Sequence, residues 1–167
     1  MASFGDFRPE TRSARLLIVE DDVLLGSSLE ELLSDSGFEV VGTVGSAATA
    51  LSLAEERQPE LALIDIRLVG PIDGIELARQ LRNRFQIPAI FLSGLADPET
   101  RERALVARPL GFLRKPYRAS QVFNAIQRAL SAVHSHQRGW AIELSSSAFS
   151  NITNPTACRA QKNVVKD

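Results

Sequence analysis

Four of the short apolar runs in this sequence lead to residues that can take part in chemistry. The first run is followed by the acidic pair Glu20 and Asp21, a later one ends at Asp65, and two more lead to Ser93 and Lys115. Clustered carboxylates repel one another unless a cation lies among them, and a set of oxygen ligands suits Mg²⁺. A lysine supplies a point charge for an anion, and a serine supplies a hydrogen-bond donor. Together these residue types predict a phosphoryl-binding site, in which a carboxylate that is free to attack becomes a phosphoacceptor.

Asp65 ends a stretch, LALID, whose other residues are all apolar. A charge that is buried without its partner costs about 3–5 kcal/mol. We therefore expect Asp65 to lie either at a solvent-exposed mouth or beside a cation.

Each of these residues, taken singly, also has an ordinary structural explanation. The acids at positions 20–22 can cap a helix and interact with its positive end. Asp65 can open a loop, Ser93 can belong to a turn beside Gly94, and Lys115 can be a solvated residue before a helix. Only the recurrence of polar groups at the ends of several apolar runs favours a shared site.

The elements that must position these residues alternate along the chain. Apolar runs that are nearly continuous are typical of strands covered on both faces. The five runs are Leu16–Val19, Phe38–Val44, Leu61–Ile64, Ile87–Leu92 and Leu110–Leu113. Between and after them, apolar residues recur with helical spacing, and Asp97-Pro98 is a suitable start for the fourth helix. Five strands alternating with five helices predict an α/β fold with an open parallel sheet and right-handed crossovers.

The predicted fold would gather the polar residues at one edge of the sheet. In a flavodoxin-like sheet, with strand order 2-1-3-4-5 and helices on both faces, ligands bind at the carboxyl ends of the strands, where the order reverses. That point lies between the first and third strands, which lead to Glu20 and Asp65.

Composition narrows the classes of protein to consider. A length of 167 residues, 44% hydrophobic and 23% charged, fits one globular domain with some excess. The net charge of −1 gives no electrostatic reason to expect nucleic acid or an acidic membrane as a partner. The single cysteine, Cys158, excludes an internal disulfide framework and fits a reducing compartment. With no stretch of signal-peptide or membrane-spanning character, we expect a cytoplasmic protein.

Three segments are expected along the chain. Residues 1–14 read as a flexible leader, 15–133 as the α/β domain and 134–167 as a disordered tail. The tail is predicted because apolar periodicity stops near Ser131 and the remaining polar segment is too short for a core of its own.

The α/β domain resembles the receiver domain of two-component response regulators, in particular single-domain receivers of the chemotaxis type. The resemblance rests on LLIVEDD, LALIDIRL, the dipeptide Asp73-Gly74, IPAIFLSG and GFLRKP, in this order and at the right spacing. The chain departs from the common pattern in a third loop that is one residue longer, in the position of its Pro71, and in ARPLG before the fifth strand. These departures concern the geometry of loops.

The resemblance implies a role for each residue of the acidic cluster. Asp65 would be the phosphorylated aspartate. Asp21 and Asp65 would hold Mg²⁺ directly, together with the backbone carbonyl of Arg67, and Glu20 would act mainly through water.

It also implies roles for residues of the fourth and fifth strands. Lys115 would contact the phosphoryl group, Ser93 would move onto it, and Phe112 would be the aromatic switch. The peptide bond before Pro116 would be cis.

The function implied is that of a signalling switch, with no turnover substrate. A sensor histidine kinase or a phosphotransfer protein would donate its phosphoryl group to Asp65 in a Mg²⁺-dependent reaction. A surface formed by the fourth helix, fifth strand and fifth helix would then signal to a downstream protein, or to a second copy in a homodimer. No nucleic-acid or membrane partner is expected.

Two other functions start from the same residues. An aspartate-nucleophile, Mg²⁺-dependent phosphatase of the haloacid-dehalogenase kind also uses a lysine and a hydroxyl. Such enzymes carry a second aspartate two residues after the nucleophile on the first strand, whereas this chain has Arg67 there and places Asp65 on the third strand. A degenerate receiver that only binds a partner is the other alternative, although no catalytic position is missing.

Overall fold

Strands and helices alternate along the chain, as the apolar runs predict. The structure, a computed structural model, describes residues 13–94 and 97–147. Its elements are β1 (Arg15–Val19), α1 (Val23–Asp35), β2 (Glu39–Val44), α2 (Ala47–Arg57), β3 (Leu61–Asp65), α3 (Gly74–Phe85), β4 (Ala89–Ser93), α4 (Pro98–Val106), β5 (Gly111–Arg114) and α5 (Ala119–Ser147). Most of the predicted leader and the part of the predicted tail beyond Ser147 lie outside the described residues.

The five strands form one parallel sheet in the order β2-β1-β3-β4-β5. The predicted fold class is therefore confirmed, including the reversal of strand order between β1 and β3. Parallel pairing places Val19 opposite Ile64, so that β1 and β3 end side by side. The residues that follow these two strands consequently meet at the same edge of the sheet.

Alternate residues of the central strands are buried in two separate hydrophobic cores, one on each face of the sheet. Leu17 and Val19 of β1 pack with α2, α3 and Ala104 of α4, whereas Leu16 and Ile18 pack with α1 and α5. All five residues of β3 are buried. Coverage on both faces is the reason that these strands read as continuous apolar runs.

Aspartates and a serine start the first four helices. Asp22 caps α1, since its Oδ1 accepts from the backbone N–H groups of Leu24 (2.9 Å) and Leu25 (3.1 Å). The other three caps are Ser46 of α2, Asp73 of α3 and Asp97 of α4. The capping explanation of the acidic run at positions 20–22 is therefore correct for its last residue.

α5 includes residues 134–147, so this helix continues past residue 133, where the sequence predicts that the α/β domain ends and a disordered tail begins. The chain does divide at this point into two units, Met1–Val133 and His134–Asp167, the first of which contains the sheet. No described helix is both long enough and apolar enough to cross a membrane.

Candidate functional site

Three carboxylates meet at the carboxyl edge of the sheet. Glu20 and Asp21 follow β1, Asp65 ends β3, and one oxygen from each of the three lies within 4.8 Å of the others. Glu20 is fixed by its own backbone N–H, which donates to the carbonyl of Val44 at the end of β2 (2.9 Å). An all-oxygen set of this size is what a hard divalent cation such as Mg²⁺ prefers, so the residues present fit the predicted metal.

Lys115 supplies the positive charge that a buried Asp65 requires. Its Nζ donates to Oδ2 of Asp65 (2.6 Å) and to Oε2 of Glu20 (2.5 Å). The exposed fractions of the three side chains are 18% for Lys115, 11% for Asp65 and 1% for Glu20. Of the two expected surroundings, the structure shows the second: Asp65 is buried and lies beside a cation.

Burial and pairing shift the acid–base equilibria in this cluster. Burial raises the pKa of Glu20, and the charge of Asp65 adds to that effect, while the hydrogen bond from Lys115 opposes it. For Lys115, burial acts to lower the pKa, but the hydrogen bonds to Asp65 and Glu20 outweigh it and the pKa is raised. Lys115 therefore remains a cation at neutral pH.

The backbone around Asp65 fixes the orientation of its carboxylate. Oδ1 accepts from the backbone N–H of Arg67 (2.9 Å), which leaves Oδ2 facing Lys115. Behind it, a Cβ built on Gly74 would lie 1.9 Å from the Asp65 carbonyl oxygen, so a side chain there would collide with backbone. The Asp73-Gly74 motif thus lets the start of α3 approach the end of β3, a steric role that the sequence motif alone does not show.

Ser93 ends β4, the neighbour of β3, and Phe112 lies on β5, the next strand in the sheet. The end of β4 is joined to the lysine by a hydrogen bond from the Lys115 N–H to the Ser93 carbonyl (2.6 Å). The Ser93 hydroxyl donates to the carbonyl of Gly94 (3.3 Å). Phe112 is 40% exposed, and its ring centroid lies 5.6 Å from that of the buried Phe91.

Arg67 directs its backbone N–H to Asp65 and has an exposed side chain. Its charge also reaches Asp97, the cap of α4: hydrogen bonds from Thr100 chiefly lower the pKa of Asp97, and Arg67 adds to the shift. Sequence reasoning could not find this interaction, because nothing in the motif pairs the third loop with the loop after β4.

An apolar groove of about 460 Å³ opens beside the site, between α1 and the segment that follows β5. It is lined by Leu25, Ser28, Leu29, Leu32, Lys115, Pro116, Tyr117 and Ala119. The Lys115-Pro116 peptide bond is cis, as the resemblance implied. Val23 and Leu24, at the start of α1, are 77% and 80% exposed.

Comparison with known proteins assigns the family. Residues 16–127 match the response regulator receiver domain. The chain belongs to this family. The receiver is 33% identical over 117 residues to the transcriptional regulatory protein PdtaR of Mycobacterium tuberculosis, which covers 70% of this chain and 57% of PdtaR. It is 30% identical over 127 residues to the phyllosphere-induced regulator PhyR of Methylorubrum extorquens, covering 75% of this chain and 47% of PhyR.

The receiver also resembles solved structures of its family. One is the signal receiver domain of a modulated diguanylate cyclase from Desulfovibrio desulfuricans G20, with a TM-score of 0.70 and 34% identity, covering 72% of this chain and 96% of that one. The chain thus spans about half the length of the named curated relatives and nearly all of an isolated receiver. Phosphoacceptance in two-component signalling is the general function of this family.

Proposed function

We propose that this receiver accepts a phosphoryl group on Asp65, in a Mg²⁺-dependent reaction, from a phosphohistidine of a sensor histidine kinase or a phosphotransfer protein. The observation that carries the proposal is the contact of the Lys115 ammonium with both Asp65 and Glu20 inside a three-carboxylate cluster. That arrangement combines a nucleophile, a cation for phosphoryl oxygens and a set of metal ligands.

The orientation of Asp65 selects its attacking atom. Oδ1 is held by the Arg67 N–H, so Oδ2 attacks phosphorus in line with the leaving histidine nitrogen. The new O–P bond forms as the P–N bond breaks, and the electron pair leaves with the imidazole. Lys115 turns from the carboxylate to the equatorial phosphoryl oxygens and stabilises their charge.

Asp21, Asp65 and the carbonyl of Arg67 would hold Mg²⁺, with Glu20 acting through water. When bound, the ion neutralises the charge on the phosphoryl oxygens and on the acids around them. The chain's own contribution is to fix these oxygens at the ends of adjacent strands.

The phosphodonor would dock beside the site, on the exposed start of α1. Val23 and Leu24 are apolar and solvent-exposed, and the neighbouring groove reaches Lys115 itself. A helix of the donor that covers these residues would bring its phosphohistidine close to Asp65.

The surface that signals to a partner would be the one formed by α4, β5 and α5. Ser93 would turn from Gly94 onto the phosphoryl group and Phe112 would move with it, which shifts a pre-existing equilibrium at the surface of α4, β5 and α5. Leu105, Val106 and Phe112 expose apolar area there, at 55%, 77% and 40%. A downstream protein or a second copy of the chain would bind this surface. We propose that this signalling takes place in the cytoplasm.

Labelling with a small phosphodonor tests the proposal. With acetyl phosphate and Mg²⁺, the protein should gain one acid-stable, base-labile phosphoryl group, and EDTA should prevent the gain. Asp65→Asn should abolish labelling. Asp22→Asn is the matched control, because asparagine still caps α1 and Asp22 is given no role in phosphoryl or metal binding. Labelling that persists in Asp65→Asn would place the acceptor elsewhere and overturn the proposal.

The phosphatase alternative has no observation in its favour. The position two residues after Asp65 is Arg67, and Asp65 lies on β3 rather than on the first strand.

A further inference from the structure

Helix α4 buries very little apolar surface. All nine of its residues are described, and of these only Ala104 is buried, while Leu105 and Val106 face solvent. Ala107, just after the helix, is the next residue buried in the same core. Elements with few buried apolar contacts open at low free energy, so polar contacts decide how firmly α4 is held.

Two arginine contacts tie the C-terminal part of α4 and the residues just after it to α3, one at each end of α3. Near the functional site, Arg103 Nη2 donates to Oδ2 of Asp73, at 2.7 Å. At the far end, Arg82 Nη1 donates to the carbonyl of Arg108, just past the helix, at 2.6 Å. The first contact is an ion pair with exposed fractions of 56% for Arg103 and 34% for Asp73.

Asp73, the acidic partner of Arg103, lies next to the residue of α3 that contacts the backbone of Asp65. Oδ1 of Asp73 caps α3 through the Glu76 N–H (2.9 Å), so Oδ2 remains for Arg103. The next residue, Gly74, approaches the Asp65 carbonyl so closely that no Cβ would fit, and its N–H donates to the Ile66 carbonyl (3.1 Å). A movement at the end of β3 therefore reaches Asp73 directly.

We infer that the Asp73–Arg103 ion pair is a latch, which holds α4 in its present position in the unphosphorylated protein and couples that position to Asp65. The inference deepens the proposed function, since the coupling presupposes that Asp65 is the phosphoacceptor. The charge interaction of Arg67 with Asp97 supports it, because it joins the same loop after β3 to the start of α4.

Amide hydrogen exchange of the unmodified protein, read residue by residue over α4, tests the latch. Arg103→Ala and Asp73→Asn should each speed exchange by about two- to five-fold, the range set by an exposed ion pair. Asp73→Asn keeps an oxygen to cap α3, and the double variant should exchange no faster than either single one. Arg103→Lys, which keeps the charge, should exchange more slowly than Arg103→Ala.

Arg101→Ala is the matched control, since it makes the same change in helix propensity on the same helix. Arg101 has no ion pair among the described residues, so exchange in this variant should stay at the wild-type rate. Equal exchange in Arg103→Ala and Arg101→Ala would overturn the latch. So would a change in Arg103→Ala that Asp73→Asn does not share.

Coupling to Asp65 is measured separately, with beryllofluoride and Mg²⁺ as the phosphoryl analogue. If the latch opposes the activated conformation, Arg103→Ala should bind beryllofluoride more tightly by the same factor by which α4 exchange is accelerated. Unchanged affinity would overturn the coupling. Failure of the wild type to bind the analogue would instead contradict the proposed function, and the exchange measurements would still decide whether α4 is latched.

Discussion

Glu20 carries its carboxylate with only 1% of the side chain exposed. Burial raises its pKa, with the charge of Asp65 adding and Lys115 opposing, so the folded protein binds this proton more tightly than the unfolded chain does. The stability contributed by Glu20 is therefore complete below the ordinary pKa of 4.5 and declines as the pH rises through the folded value. The raised pKa of Lys115 acts in the same sense only at alkaline pH, since its contribution is complete below 10.5.

We expect Glu20→Gln to remove this part of the pH dependence in the Mg²⁺-free protein. The difference in free energy of unfolding between variant and wild type should move in favour of Glu20→Gln as the pH rises above 4.5. Urea denaturation at a series of pH values measures it, with Glu30→Gln on the exposed face of α1 as control. A constant difference over that range would show that Glu20 titrates alike in the folded and unfolded states.

The roles of neighbouring acidic residues were the hardest to distinguish from the sequence. Glu20, Asp21 and Asp22 are consecutive acids, and the sequence supports both a cap and a metal site for them. The structure assigns the cap to Asp22 and places the other two beside Asp65. The distinction depends on where β1 stops and α1 begins, a shift of one or two residues that apolar patterning does not resolve.

At the scale of elements, the contact between α3 and β3 decides the position of Asp65. Gly74→Ala would place a Cβ 1.9 Å from the Asp65 carbonyl oxygen, and backbone cannot move aside as a flexible side chain can. We expect a loss of about 3 kcal/mol in the free energy of unfolding, at the upper end for an overpacked site. Phosphorylation by acetyl phosphate should fall with it, because the displaced strand end carries the proposed acceptor, Asp65.

Gly111→Ala is the control for this variant. A Cβ at Gly111 would meet Ile90 at 3.8 Å, an ordinary van der Waals distance. This variant should therefore keep most of its stability and its phosphorylation. Equal destabilisation of the two variants, measured by urea denaturation, would mean that the close approach of α3 is not what Gly74 provides.

Elements that bury more apolar surface were easier to predict from the sequence. β1 and β3 could be predicted because both faces are covered and their runs are continuous. α5 continues through residues 134–147, where the sequence shows no clear apolar periodicity from which a helix could be predicted. α4 gave a weak signal for the same reason, and its ties to α3 join residues as far apart as Asp73 and Arg103, which local patterns cannot relate.

For the whole molecule, the sequence predicted the sheet order and the edge at which the polar residues meet. That success has a physical basis: parallel strands with right-handed crossovers leave few topologies, and the reversal of strand order brings the ends of β1 and β3 together. The geometry inside the site could not be predicted from the sequence, because it depends on how Lys115 divides its hydrogen bonds between Asp65 and Glu20.

We expect the carboxylate cluster to make the stability of the whole domain depend on Mg²⁺. Without the ion, Glu20, Asp21 and Asp65 repel one another, and Lys115 bonds only the first and last of them. Mg²⁺ at about 100 times its dissociation constant should stabilise the folded protein by ~2.7 kcal/mol, provided that the unfolded chain does not bind it. Asp21→Asn should stabilise the Mg²⁺-free protein and reduce the gain on adding Mg²⁺.

Thermal unfolding with and without millimolar Mg²⁺, at matched ionic strength, measures both effects. Asp22→Asn removes the same charge one residue away and keeps the cap of α1, so it should retain the full response to Mg²⁺. If Asp21→Asn and Asp22→Asn respond alike, the effect of Mg²⁺ is a general consequence of charge rather than of ligation. A melting temperature that Mg²⁺ leaves unchanged in the wild type would mean that these three carboxylates do not form a metal site in the folded protein at millimolar concentrations. An ion held by these three carboxylates would bind only where the ends of β1 and β3 lie together, so the size of the shift would report how completely the fold prepares the site before any phosphoryl group arrives.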